Sequence, residues 1–415
     1  MKATSKDVPI KWYCFDRNEF YYEDNGEVDT VKVCIVHNAY GKYSGEESVV
    51  ESQRTLLEEN GHTVCMFSRS SVEIPEIFLG RTRAFFSGIY NPFSRRTFKK
   101  YLLKERPDLI HVHNLYPLIS PSILPIAKQL GIPVVMTVHN YRLVCPTGLH
   151  YSHGQICMKC IQGREYWCIR RNCEDNIIKS TGYALRNWWS RKRRYYIDNI
   201  SVFSCLTEFQ RDNLIRAGID AAKINVVPNM VEAPSVQSRN NEGRYVGFSG
   251  RLSIEKGINT LIAVATKNKD IRFSAAGSFS SIPDIETQVP SNFSLLGHCN
   301  NVELKEFYEN ARFIVLPSVC FEGFPTVILE AMLLGKAVIC SNIGGLPDIV
   351  DDGVTGLLAE PGDKNDLSEK IRKLWNEPEL CRKMGAAGRA KALREYSKQK
   401  HYERLIAIYD KAKPE

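Results

Sequence analysis

Nowhere in its 415 residues does the chain approach 18 uninterrupted apolar residues, so nothing in it reads as a membrane-spanning helix. The opening stretch, MKATSKDVPIKWYCFDRNEF, lacks the apolar run of a secretory signal, which points to a soluble cytoplasmic protein. An Asp-x-Asp triplet is also missing, and with it an obvious acidic site for a divalent cation beside a phosphate. Cysteine is not scarce, but 13 is an odd number, and disulfide frameworks belong to short exported chains, so mostly reduced thiols are expected. A net charge of +8 hints at an anionic partner without choosing among nucleic acid, a lipid surface and a phosphorylated substrate. With 43% hydrophobic residues, the chain can fill two separate cores, and one compact domain is not expected.

Short apolar runs of strand length alternate with helix-length polar segments. In the first half the runs are 31–36, 63–67, 109–112, 134–138, 202–206 and 224–227. After a Pro/Asn/Ser-rich passage beginning VVPNM, the pattern restarts at 245–249, 271–275, 293–296, 313–316, 337–340 and 356–358. The expected fold class is α/β, with two Rossmann-like, doubly wound parallel-sheet domains facing each other across a cleft. The expected boundaries are an N-terminal extension over 1–30, a first domain over 31–229 and a second over 230–390. A C-terminal helix within 391–415 should pack back on the first domain. Ligands of such sheets bind beyond the carboxyl ends of the strands, where the candidate residues fall.

The stretch FEGFPTVILEAMLLG, 321–335, sets Glu322 and Glu330 around the start of a short helix. Pro325 suits the first helical position, where its missing N–H would be unpaired, and Gly335 suits the stop. Free amides near Gly323 and Phe324, together with the positive helix end, make this loop ready for a phosphate. Carboxylates belong there if they bind hydroxyls while amides and cations take the phosphates, which describes a sugar nucleotide laid along the helix start. The plain alternative is a solvated surface helix with two ordinary glutamates. GRLSIEKG, 250–257, carries Arg251 and Lys256, which could clamp a diphosphate from two directions and stabilise it as a leaving group. In TVHNYR, His139 follows a strand and should project into the cleft mouth, against the alternative of a satisfied structural histidine. His111 and His113 share one side of their strand, and His113, the later one, is taken to face the cleft. Gly344 and Gly345 offer a place where backbone can approach a ligand closely.

Cys145, Cys157, Cys160, Cys168 and Cys173 form a separate group in an insertion over 145–173, expected near the cleft rim. CMKC has the gap of half a zinc knuckle, but the second pair is wider spaced and five ligands are one too many. A structural zinc, free thiols and a loop disulfide all stay open. YALRNWWSRKRRYY follows, interleaving Trp188, Trp189, Tyr195 and Tyr196 with Arg186, Arg191, Lys192, Arg193 and Arg194. Aromatic and basic side chains at helical spacing suit an anionic membrane surface, met through 179–196. Nucleic acid would also fit, and a core-facing aromatic stripe with a solvated basic back is the plain alternative.

Taken in order, the Gly-containing first loop with its helix and NGHTV, then TVHN, VVPN, GRLSIEKG, FEGFPTVILEAMLLGKAVICSNIGGLPDIV and DGVTGLLAEPGD resemble the blocks of glycosyltransferase family 4. These are retaining transferases of GT-B fold, and the resemblance runs from about residue 31 to 363. It implies transfer of a hexose from a UDP- or GDP-sugar, with no cofactor required and the departing diphosphate taking the acceptor's proton. Glu330 would hold the ribose, Glu322 the donor sugar, and Arg251 and Lys256 the diphosphate, with His139 close to the transferred sugar. Gly45, Gly323, Phe324, Pro325 and Thr326 complete the implied donor site, and His113, Asn114 and Asn140 lie on the acceptor side. Ser44 before Gly45 departs from the family's frequent glycine pair. The CPTG and cysteine stretch resembles a bacterial polysaccharide subset. That implies a glycan or undecaprenyl-diphosphate-linked acceptor, a place at the inner face of the plasma membrane, and no nucleic acid. Competing readings are a nucleotide-sugar epimerase, a sugar-phosphate synthase, or a non-catalytic nucleotide-sugar-binding module.

Overall fold

The computed structural model describes residues 30–40, 45–75, 80–230, 243–279, 282 and 284–413. The expected extension as far as residue 29, Ser44, and 231–242 of the linker passage lie outside them. The strands are β1 (Lys32–Ala39), β2 (Thr63–Ser70), β3 (Leu109–Asn114), β4 (Val134–Val138), β5 (Tyr151–Ser152), β6 (Gln155–Ile156) and β7 (Val202–Cys205). They continue as β8 (Ile224–Val226), β9 (Tyr245–Ser249), β10 (Phe273–Ala276), β11 (Phe293–Gly297), β12 (Ala311–Leu316), β13 (Ala337–Ser341) and β14 (Gly356–Ala359). Two six-stranded sheets result, ordered β2-β1-β3-β4-β7-β8 and β11-β10-β9-β12-β13-β14, and neighbouring strands in both run parallel. Every apolar run picked out from the sequence overlaps one of these strands, and reaches one or two residues past its end at β1, β7, β8 and β10. The antiparallel hairpin of β5 and β6 was not foreseen, because two residues per strand are too few to show a period.

Period-two alternation explains why the first sheet needs cover on both faces. Val33 and Ile35 of β1, Leu109 of β3, Val135 of β4 and Val202 of β7 turn to one face; Cys34, Val36, Ile110, Val112, Met136 and Phe203 turn to the other. The first face is covered by Val50 and Leu57 of the helix Gly45–Glu59 and by Leu405, Ile408, Tyr409 and Ala412 of the helix Lys398–Ala412. The chain therefore returns from the second sheet to complete the core of the first. The helices Lys364–Asn376 and Pro378–Glu395 stay on the second sheet, where Ile371, Leu374, Met384 and Ala392 join its core.

A small polar cluster pins the returning helix. The His111 Nδ1 atom lies 2.7 Å from the Tyr409 hydroxyl and 2.7 Å from Gln53 Nε2, and His111 Nε2 lies 2.7 Å from Thr137 Oγ1. Burial pushes the His111 ring down to about 3, so it is neutral and can accept as well as donate. His111 is thus a structural histidine. Tyr409→Phe removes a buried bond without changing shape and should lower unfolding free energy by about 1–2 kcal/mol. Denaturant unfolding checks this, and an unchanged midpoint would show that the cluster does not hold the helix.

Candidate active site

The loop between β12 and the helix Thr326–Leu333 is held from every side. Pro325 sits at the cap position, with φ −72° and ψ 116°, one residue before the place expected for it, and Gly335 ends the segment with φ +69°. Both carboxylate oxygens of Glu322 accept from Lys256 Nζ, at 2.7 and 2.8 Å, and Ser318 Oγ donates to Oε1 at 2.5 Å. Lys256 ends a one-turn 3-10 helix, Ile254–Lys256, after β9. The next residue must be glycine: Gly257 has φ +76°, and a Cβ there would meet the Pro317 carbonyl oxygen at 1.8 Å. Burial pushes the Lys256 ammonium down, but the Glu322 charge outweighs it and holds the group above its ordinary value.

The main chain of this loop is fixed as firmly as its side chain. Tyr141, from the first half, donates its hydroxyl to the Glu322 carbonyl at 2.9 Å, and the Gly345 N–H reaches the same oxygen at 3.0 Å. A Cβ on Gly344 would come within 2.9 Å of the Glu322 nitrogen, and one on Gly345 within 2.5 Å of the Gly323 oxygen. The close approach expected of these two glycines is therefore to the loop's own backbone. The Phe321 ring packs on Phe209, His150 and Tyr141, with centroids 4.7, 5.8 and 6.1 Å away. His150 belongs to the cysteine-rich insertion, which thus touches the loop that carries Glu322.

Over the loop lies a cavity of about 270 Å³, lined together by Gly45, His139, Arg251, Lys256, Glu322, Gly323, Phe324, Pro325 and Thr326. A second, of about 380 Å³, shares Val49 and Thr326 with it and contains Glu330. Glu330 Oε2 accepts from the Tyr308 hydroxyl at 2.8 Å; burial raises the carboxyl's proton affinity, against the pull of the Tyr308 and Thr326 hydrogen bonds. Arg251 is 58% exposed and donates to Glu255 at 2.5 Å. Tyr308, Ser318 and Glu255 were not singled out from the sequence, because a partner brought in by tertiary packing leaves no spacing signal.

His139 meets the cavity as a neutral ring: burial pushes it down to about 3, and its Nε2 lies 2.8 Å from His113 Nδ1 in a stacked pair. His113, Asn114 and Asn140 sit behind it around a nook of about 20 Å³. Asn114 donates to the Asn38 carbonyl at 2.8 Å and accepts from Tyr116 N–H, while Asn140 caps the one-turn helix Tyr141–Leu143 by accepting from Arg142 N–H. The side-chain oxygens of both asparagines and the Asn114 amide are thus engaged by the fold, whereas His113 Nε2 is buried without a hydrogen-bond partner.

Among the described residues no three His, Cys, Asp or Glu side chains converge to hold a metal ion. Cys168 and Cys173 interact through their thiols, which draws Cys173 down to about 6 and pushes Cys168 up. Cys160 and Cys168 are buried against Ala184. In the helix Ile177–Lys192 the polarity is inverted. Arg186 and Asn187 face inward, Arg186 stacking on Tyr116 and Tyr183, while Ile178, Leu185 and Trp188 face solvent. Arg191 is taken up by Glu165 and Arg194 by Asp198, so the basic run is not a uniformly open cationic face. Among the described residues no helix is long and apolar enough to cross a membrane.

The description Glycosyltransferase Family 4 matches residues 43–233, and Glycosyl transferases group 1 matches 231–391. An uncharacterised protein in the cps region of Klebsiella pneumoniae is 27% identical over 63% of this chain and 64% of its own length. A capsular polysaccharide biosynthesis glycosyltransferase of Staphylococcus aureus is 32% identical over 41% of this chain and 47% of its own. An Anabaena protein crystallised with UDP and glucose shares the fold, with a TM-score of 0.64 and 17% identity over 92% of this chain and 99% of that one. Two parallel sheets with the cavity lined from both halves define a GT-B glycosyltransferase. Within that class, the first half matches glycosyltransferase family 4 and the second matches glycosyl transferases group 1, the two together spanning residues 43–391.

Because Lys256 neutralises a largely buried carboxylate, Lys256→Ala should cost stability as well as activity. A loss of about 3 kcal/mol is expected, the low end for broken buried pairs since Lys256 keeps 24% of its side chain exposed. Adding Glu322→Gln should restore most of it. Denaturant unfolding of both proteins checks the pairing, and a single variant as stable as wild type would remove it.

Proposed function

We propose that the protein transfers a hexose, with retention at the anomeric carbon, from a UDP- or GDP-sugar to a glycan or lipid-linked acceptor, in the synthesis of a bacterial surface polysaccharide. The observation that carries this reading is the run of groups along two joined cavities: Arg251 and Lys256 at the helix start, Glu322 beside them, and Glu330 further along the same helix. Cations set where a diphosphate would lie, and carboxylates set where hydroxyls would lie, match the charge pattern of a sugar nucleotide. Glu330 would take the ribose hydroxyls, backed by Tyr308. Glu322 would take hydroxyls of the donor sugar while the amides of Gly323 and Phe324 meet sugar or phosphate. As the bond to the diphosphate breaks, negative charge grows on the leaving oxygen, and Lys256, Arg251 and the helix start would stabilise it. Neutral His139, held by His113, would offer a hydrogen bond beside the transferred sugar without adding charge. This scheme asks nothing of a metal. The Anabaena protein's UDP and glucose support a uridine donor, and the S. aureus relative supports the capsular role.

Thermal-shift measurements with UDP, GDP, ADP and their common sugar conjugates, made on wild type and on Glu330→Ala, test the donor site. One nucleotide series should stabilise wild type by about 2.7 kcal/mol at a hundredfold excess over its dissociation constant, and should lose that effect in the variant. No shift with any nucleotide would overturn the reading.

The outward stripe of Ile178, Leu185 and Trp188, ending at Lys192, favours a peripheral seat on an anionic membrane, where a lipid-linked acceptor resides. Ile178, the most exposed of them, keeps 71% of its surface free. Cosedimentation with phosphatidylglycerol vesicles should fall at least fivefold in an Ile178→Ser, Trp188→Ser, Lys192→Ser protein. Unchanged cosedimentation would refute the seat.

A further inference from the structure

The cysteine-rich insertion contains a helix end whose chemistry the sugar-transfer reading leaves unused. The short helix Tyr166–Arg170 closes with Arg171 at the cap and Asn172 in the left-handed region, at φ +45°. Asn172 N–H donates to the Ile169 carbonyl at 2.9 Å, and Cys173 N–H reaches back to the Cys168 carbonyl at 3.1 Å. These two bonds define a Schellman cap, in which the residue after the left-handed one lies against a residue of the last helical turn. An apolar pair commonly fills that contact. Here both members are cysteine, and both are free thiols. Cys168 is fully buried with Cys160 and Ala184, and Cys173 packs against that cluster while staying partly open to solvent. The backbone bond across the pair holds the two residues in the close range that a disulfide must span.

We propose that Cys168 and Cys173 are a reversible modification site for small-molecule disulfides, with Cys173 as the attacking thiol and Cys168 as the resolving one. The Cys173 thiolate attacks one sulfur of the small disulfide, forms a mixed disulfide, and releases the other half as a thiolate. The Cys168 sulfur then gives up its proton and attacks the Cys173 sulfur. The protein disulfide forms as the second half leaves. Two electrons pass from the pair to the reagent, and the protons that the two cysteines lose end on its two thiols. Excess thiol runs the same steps backwards.

The surroundings assign the roles. Only Cys173 of the pair is reachable from solvent, and attack requires both access and a thiolate. The Cys168 thiol, followed by the Arg171 cation, draws Cys173 down to about 6 against burial. Cys160, the third thiol of the cluster, is buried, and burial together with the neighbouring thiols pushes it up, so it stays protonated and inert. The cap is also tied to the rest of the insertion. His153, in the turn between β5 and β6, has its Nε2 atom 2.5 Å from the Arg171 carbonyl oxygen, and His150, just before β5, packs on Phe321. A staple placed here is therefore made on the segment that braces the Glu322 loop.

Peptide mapping of the whole protein tests the proposal, because Arg170 and Arg171 lie between the two cysteines. After treatment with oxidised glutathione, alkylation and trypsin, the peptides 165–170 and 172–179 should be recovered joined, and should separate on reduction. Cys168→Ser should stop at the mixed disulfide, with glutathione left on Cys173, whereas Cys173→Ser should leave Cys168 unmodified. Recovery of both peptides separate and alkylated from treated wild type would overturn the proposal. So would Cys173 joined to the peptide 160–164, which carries Cys160. Release of zinc from untreated protein by a mercurial, with both thiols shielded from glutathione, would overturn it as well.

Discussion

The site depends on one buried anion. Glu322 stands in a largely enclosed place where Lys256 and Ser318 satisfy its carboxylate, and its peptide is held by Tyr141 from one half and Gly345 from the other. Burying a carboxylate is strongly unfavourable unless it is paired and hydrogen-bonded. Each support therefore doubles as a constraint on shape: the turn at Gly257 must press against Pro317, the glycines at 344 and 345 must leave room for the loop, and Phe321 must find its aromatic bed. Move any of these and the anion loses its place. The loop amides and the helix start are positioned as a consequence.

The cavity's cations are already occupied before any ligand arrives. Lys256 is matched to Glu322 and Arg251 to Glu255, so the wall is close to neutral as it stands. A diphosphate arriving at this wall would find no empty positive hole and would have to exchange one set of partners for another. Arg251, largely open to water, can turn toward a phosphate at little cost, whereas Lys256 would have to be shared with a carboxylate that cannot spare it. The stacked histidines behind them stay uncharged, so they add hydrogen bonds and no repulsion.

Both sheets were legible in the sequence because a strand buried on two faces reads as an unbroken apolar run, and runs such as 134–138 and 245–249 have no other use in a chain of this kind. The Glu322 and Glu330 pair, Arg251, Lys256 and His139 were legible because each lies in a short block just after a strand. Partners were not. Tyr308 under Glu330, Ser318 under Glu322 and Tyr141 over the loop are set by how elements pack, and nothing local marks them. Which face of the helix Ile177–Lys192 is buried was not legible for a related reason. An arginine in a sequence suggests water, yet Arg186 is inside, where two tyrosine rings and the Pro146 carbonyl receive it, and the apolar side chains are outside. Pattern tells that a helix has two faces, and only the surroundings tell which one is buried.

The helix Lys398–Ala412 that closes the first sheet is made after all six strands of the second. While a ribosome is still adding the second half, the face formed by Val33, Ile35, Leu109 and Val135 has only the helix Gly45–Glu59 to cover it. At about 5–20 residues per second, that face waits many seconds for its cover. Synthesis order thus leaves the core of the first sheet to be sealed after that of the second, with its open apolar strip exposed to chaperones or to a neighbouring nascent chain in the interval.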